Sequence, residues 1–108
     1  MDIREFERRK AAALAAIDKA VGTEAGEFGI DLFITHHLEG LPQAYWQEQL
    51  ATDTPNSKAV VGLLICRSSW GENDLEYFDF TLPGEVTDYV VSVHFDLMGK
   101  IDDIAMES

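Results

Sequence analysis

The sequence predicts an α+β two-layer sandwich: an antiparallel sheet of about four strands with helices on one face, in the order α-β-α-α-β-β-β. Three observations predict it. The first twenty residues repeat apolar side chains at three- and four-residue steps, the last third alternates with period two, and Gly and Pro punctuate the boundaries. No repeat, linker or low-complexity tract interrupts the chain, so residues 1–108 read as a single domain.

Residues Asp2 to Val21 predict an amphipathic helix. Ile3, Phe6, Ala13, Leu14, Ile17 and Val21 share one face, Asp2 is placed to cap the start, and Gly22 to stop the end. Residues Phe28 to Glu39 predict a strand. Ile30, Leu32, Ile34 and Leu38 point one way and Asp31, Thr35, His37 and Glu39 the other, with Phe33 an apolar exception on the polar side. Gly40 and Pro42 end that strand, and Pro42 suits the first turn of a helix carrying Ala44, Tyr45, Trp46 and Leu50. Thr54-Pro55 opens a further short helix through Cys66, although Val60, Val61 and Ile65 would also suit a strand.

From Leu75 onward the period is two. Tyr77, Asp79 and Thr81 oppose Phe78, Phe80 and Leu82, and Pro83-Gly84 turns the chain. Tyr89, Val91, Val93 and Phe95 then alternate with Val90, Ser92 and His94. Asp96-Leu97-Met98-Gly99 reads as a tight hairpin with Gly99 at positive φ, and Ile101 to Met106 completes a meander that Asp102-Asp103 marks with a bulge.

A chain of 108 residues buries roughly two thirds of its unfolded surface, enough to fold without staples. The 46% hydrophobic and 26% charged fractions are those of a globular domain. The eight basic residues against twenty acidic ones give a net charge of -12. That argues against nucleic acid or anionic lipid as partner, since both are held by clustered Lys and Arg. The longest apolar run, Val60 to Cys66, is far short of the ~18 residues that span a bilayer, and no leader-like apolar stretch follows Met1. One unpaired thiol, Cys66, suits a reducing compartment, so a cytoplasmic protein is expected.

Phe78-Asp79-Phe80-Thr81-Leu82-Pro83, Val86 to Val93, Phe95-Asp96, Gly99, Ile101, Ile104 and Met106-Glu107-Ser108 together form one pattern. It resembles the C-terminal signature of a family of small bacterial proteins classed as a domain of unknown function. His36-His37-Leu38 followed by Tyr45-Trp46 is similar to that family's N-terminal half. The resemblance implies a two-layer α/β sandwich and brings no activity or catalytic residue with it.

Chemistry is sparse. His36, His37 and His94 are the candidate metal ligands, but adjacent strand residues face opposite sides and no carboxylate stands at ligand spacing, so neither metal nor cofactor is expected. Cys66 ends an apolar run without a catalytic neighbour, and no nucleophile elbow, phosphate loop or dinucleotide fingerprint occurs. Charge is more informative. Residues 1–19 carry a net +1, residues 20–67 a net -4 and residues 68–108 a net -9. The sheet face away from the helices would carry Asp79, Thr81, Ser92 and His94. The candidate binding surface is therefore Trp70, Glu72, Asp74, Glu76, Tyr77, Asp79 and Asp88, aromatic anchors within an acidic rim.

These features favour a non-enzymatic binder of a basic protein, of the immunity or antitoxin type that blocks a cationic toxin. A metal- or small-ligand-dependent enzyme would need His36 or His37 to meet His94 and an aspartate. A housekeeping or oligomer-forming domain would share every feature of the binder.

Overall fold

A computed structural model describes residues 2–108. Among the described residues four α-helices precede four strands: α1 Ile3–Ala20, α2 Ile30–Gly40, α3 Gln43–Leu50, α4 Ser57–Leu63, β1 Ile65–Trp70, β2 Tyr77–Thr81, β3 Val90–Phe95 and β4 Ile101–Glu107. The strands form one antiparallel meander in the order β1-β2-β3-β4. The α+β class, the open four-stranded sheet and the helical layer over it follow the sequence pattern.

Helix α1 begins where Asp2 accepts the Arg4 amide at 2.9 Å, and it buries Ala13, Ile17 and Ala20. Asn56 caps α4 in the same way through the Ala59 amide at 2.8 Å. Phe78, Phe80, Val91, Val93 and Phe95 form the sheet's contribution to the core, against Ile17, Ile30, Phe33, Trp46 and Val60. Burial of each large apolar side chain stabilises by about 1.5–3 kcal/mol, so this one continuous cluster carries the fold.

Two elements differ from expectation. Residues 30–40 are helical where alternation predicts a strand. Ile30, Phe33, Ile34 and His37 are the buried side chains, a stripe at steps of three, one and three, while Leu32 is 42% and Leu38 37% exposed. Phe33, which breaks the alternation, is thus the residue that reports the helix.

The second difference is at Leu64. The predicted helix through Cys66 stops at Leu63, and Ile65–Trp70 becomes β1. Val60 and Val61 are buried in the helical layer, whereas Cys66 and Ser69 oppose the core residues Phe80 and Phe78 across the sheet. The expected hairpin at Asp96–Gly99 is present, with Gly99 at φ 77° and Asp96 Oδ1 accepting the Met98 and Lys100 amides at 2.8 and 3.0 Å. The bulge expected at Asp102-Asp103 is also present: His94 pairs with Asp103 and Phe95 with Ile101, leaving Asp102 as the extra residue.

Candidate functional site

Strand register builds the site. On the face away from the helices, one cross-strand row is Trp70, Tyr77, His94 and Asp103. The next row is Ser68, Asp79, Ser92 and Ala105, and beyond it lie Ile65, Thr81, Val90 and Glu107. The middle row is small, so the face is a furrow with an aromatic wall, a floor of Ser, Asp, Ser and Ala, and a mixed aliphatic and acidic wall. Four strands spaced ~4.8 Å apart make the floor about 14 Å long, and rows two residues apart are separated by about 7 Å. The hollow, about 880 Å³, is also lined by Arg67, Asp88 and Ser108.

The aromatic wall is ordered by its own contacts. Trp70 stacks on Tyr77 with centroids 4.0 Å apart and planes 10° apart, and the Tyr77 ring lies 4.5 Å from that of His94. The Trp70 indole N–H donates to Asp79 Oδ2 at 2.9 Å, which tips the ring over the floor. Asp79 Oδ1 is shielded from solvent and has no hydrogen-bond partner among the described residues. A desolvated acceptor left without a donor costs about 1–3 kcal/mol, more for a charged group.

At the other end of the wall, His94 is held between two carboxylates, Nδ1 against Asp102 at 2.5 Å and Nε2 against Glu76 at 2.8 Å. Two ionised carboxylates can only accept, so the arrangement favours the ring with both nitrogens protonated. The hydrogen bonds to Asp102 and then Glu76 raise its pKa above the ordinary histidine value, and the bond to His94 lowers that of Glu76. An imidazole with both nitrogens engaged in this way has no lone pair for a metal or for proton abstraction.

Of the predicted surface, Trp70, Tyr77, Asp79 and Asp88 meet on this furrow. Glu76 belongs to the His94 clamp. Glu72 lines a second hollow of about 390 Å³ with Arg9, Glu76, His94, Asp96 and Asp102. Asp74 sits on the turn between β1 and β2 at φ 59° and lines neither hollow. Sequence reasoning missed Ser68, Arg67 and Glu107 as furrow residues and Asp102 as a partner of His94. Ser68 and Trp70, two residues apart on the outer face, are the signal for β1; the irregularity at Arg67 puts Cys66 on the other face, and the apolar run before it masks the strand.

The other histidines lie elsewhere. His37 is buried in α2, where Nδ1 donates to the Phe33 carbonyl at 2.7 Å and Nε2 therefore accepts from the Thr87 hydroxyl at 2.8 Å. Burial holds its pKa below the ordinary value. His36 is exposed, edge-on to Tyr89 at 4.8 Å. Helix α2 packs on the inner face of the sheet, whereas His94 projects from the outer one, so neither His36 nor His37 meets His94. Because residues 30–40 are helical, the two neighbours are not on opposite faces of a strand as expected; their rings lie 5.0 Å apart. Among the described residues no group of three His, Cys, Asp or Glu side chains is placed to hold a metal ion. Burial raises the pKa of Cys66, whose thiol lies 3.7 Å from the Ser68 carbonyl.

Fold and site together define a two-layer α+β domain with an aromatic and acidic open sheet face. The chain matches no family model, no curated protein and no solved structure. No helix among the described residues is long and apolar enough to cross a membrane. The functional reading rests on the geometry of the furrow.

Proposed function

We propose that the chain is a non-enzymatic protein-binding domain of the cytoplasm, an inhibitor of the immunity or antitoxin type whose open sheet face docks a basic partner. The observation that carries this reading is the Trp70–Tyr77 stack standing over Asp79 on the uncovered face of the sheet. Trp70 is 47% exposed although it is stacked and hydrogen-bonded. A large ordered aromatic beside carboxylates suits an interface anchor, because it loses little rotamer freedom on docking.

Charge selects the partner's sign. Residues 68–108, which form most of this face, carry a net -9, so a second copy presenting the same face meets repulsion and a cationic surface meets attraction. A protein that grips nucleic acid must present such a cationic surface, which a competitor of this charge would cover.

The test is affinity capture from lysate of the source organism with two baits, the native chain and a Trp70→Ala/Asp79→Asn variant. A basic protein retained stoichiometrically by the native bait, released by a salt step and absent from the variant supports the reading. Equal retention by both baits moves the interface off this face, and recovery of the bait alone removes the inhibitor assignment.

A further inference from the structure

The furrow has the shape and polarity of a receptor for one flat cation. We infer that it takes a guanidinium group, presented as an arginine side chain by the partner protein, with the guanidinium at Asp79 and the aliphatic stem along Ser92 and Ala105. This inference rests on the proposed protein-binding function and names the chemistry of its central contact.

Three features of the floor and walls converge on that group. Asp79 is the only ionisable residue of the floor row, flanked in register by Ser68 and Ser92, whose hydroxyls offer two further acceptors. Its Oδ1 has no donor, so an incoming N–H would satisfy an oxygen that the chain itself leaves unpaired. The Trp70–Tyr77 wall offers π-surface, on which a planar, weakly hydrated guanidinium stacks and a compact ammonium does not. Asp88 and Glu107 line the same hollow and add negative potential at its rim.

The chain's own Arg67 stands at that rim and is exposed. Its guanidinium reaches the Asp88 carbonyl at 3.4 Å and not the Asp79 carboxylate, so no cation among the described residues pairs with the floor. Asp79 Oδ1 is shielded in the free chain, so a ligand reaches it only when neighbouring side chains shift. The indole N–H, which bonds the other oxygen of the same carboxylate, is the natural reporter.

The experiment is an ¹⁵N–¹H titration of the full chain with N-acetyl-arginine methylamide, with N-acetyl-lysine methylamide as comparison. Saturable shifts are expected at the Trp70 indole N–H and at the amides of Ser68, Asp79, Ser92 and Ala105. The lysine compound should bind at least ~5-fold more weakly, since it lacks the planar stacking surface. Asp79→Asn should lower the arginine affinity ~10-fold or more by removing the charge-assisted bonds, while Asp53→Asn, which removes one carboxylate from the exposed loop between α3 and α4, leaves it unchanged. Shifts confined to the Glu72–Asp96–Asp102 hollow, equal affinity for both compounds, or no effect of Asp79→Asn would overturn the inference. Each of those results leaves the capture experiment intact, and the protein-binding reading then stands or falls on the paired baits. Saturable arginine binding at the furrow combined with recovery of no protein partner would instead retain the guanidinium site and remove the inhibitor assignment.

Discussion

The Thr87 hydroxyl donates to Nε2 of the buried His37 at 2.8 Å and accepts the Tyr89 amide at 3.2 Å, so one side chain ties helix α2 to the start of β3. The Phe33 carbonyl fixes the ring's other nitrogen as donor, which leaves Nε2 only the accepting role. Thr87→Val keeps the shape and removes both bonds. It is expected to cost about 1–3 kcal/mol in urea unfolding, with Thr87→Ser close to the native chain. A Val variant as stable as the native protein would contradict this linkage.

His37 and His94 are expected to bend the stability profile in opposite directions. The pKa of His37 lies below its ordinary 6.5, so its contribution is complete above pH 6.5 and is lost as pH falls through the lower folded value. His94 is raised above 6.5 by Asp102 and Glu76, so its contribution is complete below pH 6.5 and is lost as pH rises through the higher folded value. Chemical denaturation across pH 5–9, a range set around the ordinary histidine pKa of about 6.5, should show a maximum near that value. His94→Gln should flatten the alkaline limb and leave the acid limb in place. An unchanged alkaline limb in that variant would mean that His94 does not carry the charge assigned to it.

Helical and strand readings of residues 30–40 make different demands on neighbouring positions. Phe33 is fully buried and Leu32 is not. Phe33→Ala is expected to cost about 3–5 kcal/mol, and Leu32→Glu less than about 1 kcal/mol. Thermal or urea unfolding of the two variants measures this directly, and a costly Leu32→Glu would restore the strand.

The same residues show what was legible in the sequence. Strands β2, β3 and β4 could be read because their inner positions are uniformly large (Phe78, Phe80, Val91, Val93, Phe95) and their outer ones are mostly polar. In α2, Leu32 and Leu38 are apolar but partly exposed, so composition mimicked an alternation that burial does not follow. Before β1, the helix ends inside an apolar run with Leu64 as the hinge, and Gly62 lies within the last turn of α4 rather than after it, so it does not mark the change. Trp70, Tyr77 and Asp79 could be named from composition. Their convergence on a furrow could not, because it depends on the register of β1 against β2.

Asp79 is expected to trade stability for recognition. Its Oδ1 is buried without a donor, so Asp79→Thr, which suits a strand and removes the unpaired charge, should stabilise the isolated chain by about 1 kcal/mol. The same variant should lose capture of the basic partner. Denaturant midpoints and the paired-bait capture supply the two readouts, and a destabilised Thr variant would show that the carboxylate serves the fold rather than the furrow.

The two margins of the sheet determine how anything can reach that face. Strand β1 is interrupted between Cys66 and Ser68, where Arg67 falls outside the ladder. On the opposite margin, Gly29 approaches the Ile104 carbonyl so closely that a Cβ there would lie 2.9 Å from the oxygen. Both margins are therefore irregular at one point, which disfavours edge-to-edge strand addition there. A partner that descends on the open face instead is read by its side chains, which leaves selectivity with a few residues.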